Sequence, residues 1–144
     1  MPSTSETILA ALHARLVAGL PGVEVLRNSA LPEALGAAGL VILNDGDPGE
    51  PEFIMSPPMF AYEHRAEIDV IVDAADAAAR DTAFDALKLA IGTAIRTDRT
   101  LGGRCDYVMA EAPAPQELPV EGASGLKAAT IGVILSYVAP DPLG

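Results

Sequence analysis

The chain has 144 residues, with 20 Asp or Glu against 9 Lys or Arg, for a formal net charge of −11. Phosphate neutralisation needs clustered Lys and Arg, so this balance disfavours direct nucleic-acid binding and attraction to an anionic membrane. Half the residues are hydrophobic, aromatics are 4% and Trp is absent, so Ala, Val, Leu and Ile must build a core of single-domain size, and a lone Cys105 excludes an internal disulfide and fits a reducing compartment.

Ser3 and Glu6 form an S-x-x-E capping box. Ile8, Leu9, Leu12, Leu16 and Val17 then supply a helical apolar stripe, stopped by Gly19, Pro21 and Gly22. This opening segment carries Glu6 and Arg15 without an early basic cluster, so it is expected to be a helix and not a signal peptide. No run approaches the roughly 18 apolar residues that span a bilayer. The chain is expected to be soluble and intracellular when made. Residues 23–27 read as a short strand, followed by an irregular stretch around Pro32 with one possible helical turn at 33–35. Residues 40–43 are an apolar run of strand length, and Asn44-Asp45-Gly46 predicts a turn.

Between 47 and 58 four prolines (Pro48, Pro51, Pro57, Pro58) argue against an inner strand. Phe53, Ile54 and Met55 within it suit a brief edge strand or a projecting hairpin. The most informative stretch follows. From 60 to 73, Phe60, Tyr62, His64, Ala66, Ile68, Val70 and Val72 alternate with Glu63, Arg65, Glu67, Asp69 and Asp73, as in a strand with one buried and one wet face. Fourteen residues at about 3.3 Å span roughly 46 Å, whereas a compact chain of this length has a diameter under about 40 Å. A neighbouring subunit is expected to shelter the overhanging end. Asp76 or Asp81 then caps a second helix with Phe84, Leu87, Ile91 and Ile95 on its core face and Ala83, Ala90 and Ala94 beside them. Gly102-Gly103 breaks the chain, 105–111 resumes as strand, 113–125 is a loop, and 126–138 is a second long strand before a Pro-containing tail. The order predicts a single α+β domain over 1–144. It has a mostly antiparallel sheet, two helices packed on one face, long protruding strands, and projecting loops at about 45–58 and 112–125.

Chemistry-bearing constellations are thin. His13 and His64 have no ligand-spaced partners, since no H-x-x-x-H, C-x-x-C or H-E-x-x-H occurs. His64 is expected to be a satisfied, partly buried histidine, His13 a surface residue, and Cys105 a small buried hydrophobe. Glu63, Glu67, Asp69 and Asp73, spaced as on any solvated sheet face, read as a wet surface with Arg65 as a cross-strand partner. Asn44-Asp45-Gly46-Asp47 lacks the rest of a calcium loop, and Gly102-Gly103-Arg104 is no phosphate loop. Thus no catalytic, cofactor or metal site is expected. The Pro-rich loops are different, because Phe53, Ile54, Met55, Met59 and Phe60, with Leu118 and Val120 in the later loop, put bulky apolar groups where no core fits. They either mark partner contacts or fold back as caps over the sheet edge.

The order of elements, with the Tyr62-Glu63-His64-Arg65-Ala66-Glu67-Ile68-Asp69-Val70 strand, the Ala-rich helix at 77–95 and Leu101-Gly102-Gly103, resembles the tail terminator (tail-completion) proteins of long-tailed phages and phage-like gene transfer agents. The resemblance runs from about Ser5 to Val138 and rests on element order and a diffuse strand motif. It implies a non-enzymatic virion protein, assembled in the bacterial cytoplasm, that forms a hexameric ring on the head-proximal end of the tail tube. There it stops polymerisation and meets the head-side connector. It further implies that DNA passes through the ring without specific binding. Six copies would carry 6 × −11 = −66 formal charges, and an acidic face of Glu63, Glu67, Asp69 and Asp73 would repel DNA in the lumen. Two other readings fit the residues: an oligomeric adaptor outside any particle, and a small enzyme or ligand-binding domain with His64 and Cys105 in a cleft.

Overall fold

The structure, a computed structural model, describes residues 1–32, 35, 36, 38–116 and 125–144. The elements run α1 (Thr4–Gly19), β1 (Glu24–Arg27), β2 (Leu40–Asp47), β3 (Glu52–Met55), β4 (Pro58–Asp73), α2 (Ala77–Thr97), β5 (Tyr107–Ala110), β6 (Ala114–Gln116) and β7 (Leu126–Ala139). The fold is α+β. Among the described residues seven strands make one sheet, antiparallel except for β1 beside β2, in the order β1-β2-β4-β7-β5. Here β3 extends the β2 side of β4, and β6 extends the β5 side of β7.

The alternation read from β4 is the one the sheet uses. Tyr62, Ala66, Ile68, Val70 and Val72 are buried on the inner face against Leu12 and Leu16 of α1 and Phe84, Leu87, Ile91 and Ile95 of α2. Both helices cover this one face. Ser3 caps α1 by accepting from the Glu6 amide at 3.2 Å, and Asp76 caps α2 by accepting from the Ala79 amide at 3.2 Å. Each cap satisfies an otherwise orphaned donor and is worth about 1 kcal/mol. Val17, expected in the α1 stripe, is instead 49% exposed, because Leu16 and Leu20 complete the buried side.

Three expectations need correction. The hydrogen-bonding edges of the β4 overhang are filled within the chain and not by a neighbour: β7 pairs with it from Phe60↔Ala139 to Asp73↔Leu126, and β3 pairs with its opening residues, Glu52↔Ala61 to Met55↔Pro58, while Phe53, Ile54 and Met55 of β3 stay exposed. Asn44-Asp45-Gly46 is not a turn but a bulge inside β2, where the register on β4 slips between Asn44 and Asp47. Gly46 takes φ +69°, the left-handed conformation such a bulge asks of a glycine, and a Cβ there would overlap the Arg65 carbonyl oxygen. Finally, the predicted loop after 112 begins with β6, since Ala114, Pro115 and Gln116 lie opposite Thr130, Ala129 and Ala128.

The outer face is covered at one end. Because β1 and β2 are parallel, the chain between them must cross the sheet, and Leu31 and Leu35 of that crossover pack on Leu40, Ile42, Ile71 and Ala128. Burial on both faces explains why residues 40–43 are uniformly apolar and why Ile71 interrupts the polar phase of β4. The other end of the outer face has no such cover from the crossover. Among the described residues no helix is long and apolar enough to cross a membrane.

Replacing Gly46 with Ala should cost about 3 kcal/mol, from strain and displaced backbone together. Gly49→Ala, also at positive φ (+71°) but in open space, should cost about 1 kcal/mol. Urea midpoints at unchanged slope measure both, and equal losses would show that the bulge is not tightly packed.

Candidate functional site

The carboxylates singled out on β4 do share the outer face, and the sheet uses them unequally. Asp69 is tied down, accepting from Asn44 Nδ2 at 2.9 Å and Thr130 Oγ1 at 2.8 Å. Glu63 accepts from Ser136 Oγ at 2.7 Å. Glu67 and Asp73 are exposed. Arg65 pairs with none of the four. Its guanidinium crosses β7 to Glu111, just beyond β5, through space left by Gly132, where a Cβ would collide with both side chains. Both partners are about half exposed, so the pair is worth at most about 1 kcal/mol. The result is a flat, acidic, hydrogen-bonded surface. Among the described residues no three His, Cys, Asp or Glu converge as a metal site requires.

The apolar loop residues divide in two. Phe60 folds back as a cap, half-buried against the core, with Phe53 stacked obliquely on it at 5.2 Å between ring centroids. Met59 is half-buried beside it. By contrast Phe53, Ile54 and Met55 stand 53%, 38% and 76% exposed. Successive residues of a strand point to opposite faces, so β3 exposes apolar groups on both of its sides. The β3–β4 hairpin is therefore an arm that projects past the helix-covered body. Leu118 and Val120 lie outside the described residues.

The base of this arm is held by a polar knot that sequence reading missed apart from His64. His64 is 3% exposed, and its Nε2 lies 2.6 Å from the Asp45 carbonyl, an acceptor only, so Nε2 donates. The other nitrogen, Nδ1, then accepts the Tyr137 hydroxyl at 2.8 Å. Burial, with neighbouring Tyr62 adding to it, pushes the Tyr137 phenol up to about 12. Asp45 is gripped elsewhere too: its amide donates to Asn28 Oδ1 at 2.9 Å and its carboxylate takes two bonds from Arg27, at 2.9 and 3.1 Å. Arg27 also forks onto Glu6 at 2.9 and 2.8 Å, so one guanidinium ties α1 and β1 to β2. Burial raises the Asp45 carboxyl, but the Arg27 and Asn28 hydrogen bonds outweigh it and hold the group below its usual range. Glu6 is likewise lowered, first by its bonds to Arg27. Nothing in the spacing of residues 6, 27 and 45 announces this cluster.

No family model matches the sequence, and no curated protein matches it. In fold, however, the chain is similar to a chain of a solved structure described as the virion of a native gene transfer agent (GTA) particle. The superposition covers 90% of this chain and 92% of that one, with a TM-score of 0.53 at 17% sequence identity. At that identity the likeness establishes a shared fold.

The remaining candidates are structural. Burial, then the nearby Asp106 and Asp98 charges, raise the Cys105 thiol above its ordinary value, the opposite of an activated nucleophile. His13, expected at the surface, is half-buried with Nε2 3.0 Å from the Val25 carbonyl. Asp98 staples the turn after α2. Bonds from the Thr100 hydroxyl, then the Thr100 and Gly102 amides, bring its carboxyl down to about 2 from 3.8.

Tyr137→Phe removes the donor to His64 Nδ1 and should cost about 1–3 kcal/mol, read as a shifted urea midpoint. Because Asp98 binds protons more weakly when folded than unfolded, its staple stabilises fully above about pH 4 and fades as pH falls toward 2. The stability difference between wild type and Asp98→Asn should shrink over that window, and a pH-independent difference would refute the assignment.

Proposed function

We propose that the chain is a non-enzymatic virion protein of a phage-like particle, a tail terminator. Six copies form a ring on the head-proximal end of the tail tube, stop tube growth and present a surface to the head-side connector. The observation that carries the reading is the projecting arm: exposed Phe53, Ile54 and Met55 on a rigidly anchored hairpin suit burial against another protein and have no use in a solitary monomer. The full-length fold likeness to a gene transfer agent virion chain supports it. So does the resemblance of the element order to tail terminators.

In this ring the outer sheet face lines or borders the DNA path. The exposed carboxylates Glu63, Glu67 and Asp73 repel the sugar-phosphate backbone, so DNA slides without sticking. Asp69 contributes less, since its oxygens already serve Asn44 and Thr130.

The decisive experiment adds the labelled protein to purified tail tubes and images them. Label at one end of each tube, with further tube growth arrested, is the expected result; uniform or absent label would reject the terminator reading. The associated species should approach 6 × 14.8 = 88.8 kDa in light scattering, on the tube or free. Changing Glu63, Glu67 and Asp73 together to Lys should slow DNA delivery by particles while ring mass stays the same. Delivery at the wild-type rate would remove the acidic face from the DNA path.

A further inference from the structure

A second concave surface fits the arm. The solvent side of α1 carries Ala10, Ala14 and Ala18, whose small side chains leave a groove of about 590 Å³ closed on its far side by Leu101 and Arg104. Arg15 forms part of the wall. Its Nη2 stands 3.8 Å from Asp98, and its Nη1 is buried with no hydrogen-bond partner among the described residues. Arg104 spends Nη1 on the Leu101 carbonyl at 2.9 Å and enters no ion pair among the described residues. Glu6, at one end of the groove, is committed to Arg27. On a chain of net charge −11 the groove thus carries one guanidinium, Arg104, that no carboxylate holds among the described residues, beside a second, Arg15, that is shared with Asp98.

The arm has the complementary chemistry. Residues 47–55 read DPGEPEFIM, with three carboxylates, no cation and three exposed apolar side chains. Asp47 is engaged with the Gly49 amide, which leaves Glu50 and Glu52 free. A charge-assisted bond from the Arg104 guanidinium to a carboxylate of the arm would be about twice as strong as a neutral one. Because β3 pairs with the opening residues of β4, its Phe53, Ile54 and Met55 are left exposed in the single chain and open to another molecule.

We infer that the occupant of the α1 groove is the 47–55 arm of a second copy of this chain. Phe53 or Met55 seats on the Ala10–Ala14–Ala18 floor, and Glu50 or Glu52 meets Arg104. Arm and groove are different surfaces, so the contact is heterologous and passes from copy to copy around a closed ring. Like-charged copies then meet where one of them is locally positive, which sets orientation as well as affinity. This inference rests on the self-assembling part of the terminator reading and not on its place in a particle.

The test uses the full chain in a Cys105→Ala background. Met55→Cys protein is mixed with Ala14→Cys protein and oxidised, and the heterodimer is compared with that from Met55→Cys and Ala86→Cys. Ala86 lines a separate apolar groove beside Gly19 and Leu20. Preferential linkage to position 14 is expected. Separately, Arg104→Glu and Glu52→Arg should each weaken association about tenfold or more, and the two together should restore much of it. Preferential linkage to position 86, an assembly of wild-type mass with no linkage to 14, double-variant losses that merely add, or a chain monomeric at every concentration with no linkage would each overturn the inference. A ring that forms without the position-14 linkage but still caps tubes sinks the arm contact alone. Linkage with mutual rescue but no tube capping sinks the terminator reading alone.

Discussion

The antiparallel pairing of β4 with β7 governs the geometry of every other element. Each strand is longer than a usual strand, and neither has a stable place without its partner. Their register sends Tyr62, His64, Ala66, Ile68, Val70 and Val72 inward together with Val133, Leu135 and Tyr137. A slip by one residue would turn both apolar rows to water, so hydrophobic burial locks the register along the whole ladder. The two strands then provide outer edges in series: β2 followed by β3 along β4, and β5 followed by β6 along β7. Helices α1 and α2 close the inner face, and the β1–β2 crossover closes one end of the outer one.

The length that makes this ladder stable also makes the arm. Before Tyr62 the strand opens with residues 58–61, and β3 folds back along them as the chain's own edge partner. An arm useful for binding must be stiff at its root, and the knot around Asp45 supplies stiffness from three directions. His64 holds the carbonyl, Asn28 the amide and Arg27 the carboxylate. The Gly46 bulge follows at once and shifts the register of β2 on β4 before Asp47 pairs with Arg65. A buried histidine with both nitrogens engaged is thus best understood as part of the support for the arm. Both of its ring nitrogens are spent within the chain, on the Asp45 carbonyl and the Tyr137 hydroxyl.

Charge adds a second layer of organisation. Acidic groups dominate the outer face, where the sheet's own hydroxyls and amides quench some of them, while the basic groups lie mainly at the helix ends and in the turns around residues 96–104. The proposed ring depends on that separation, because uniform negative charge would hold copies apart. The flat outer face and the concave α1 side are therefore suited to different roles.

The regular elements were legible in the sequence, because they follow from local patterning. The period of two in β4, the 3.6 spacing of Phe84, Leu87, Ile91 and Ile95, and the Ser3 and Asp76 caps each involve residues within a turn or two of one another. Errors arose where a distant partner changed the meaning of a local signal. Asn44-Asp45-Gly46 has turn chemistry, yet β4 alongside makes it a bulge; Ala114-Pro115-Gln116 looks like loop until β7 offers an edge; the long strand looks unsheltered until its partner, some sixty residues later, proves equally long. The sequence by itself determined which residues are apolar, where helices start and which face of β4 is wet, since these depend on periodicity and short-range hydrogen bonding. Only the tertiary structure decided that Arg27 joins Glu6 to Asp45, that His64 is saturated by Tyr137 and a carbonyl, that Phe60 caps while Met55 projects, and that Arg15 and Arg104 flank one groove. Those outcomes depend on long-range register and burial, which no spacing along the chain encodes.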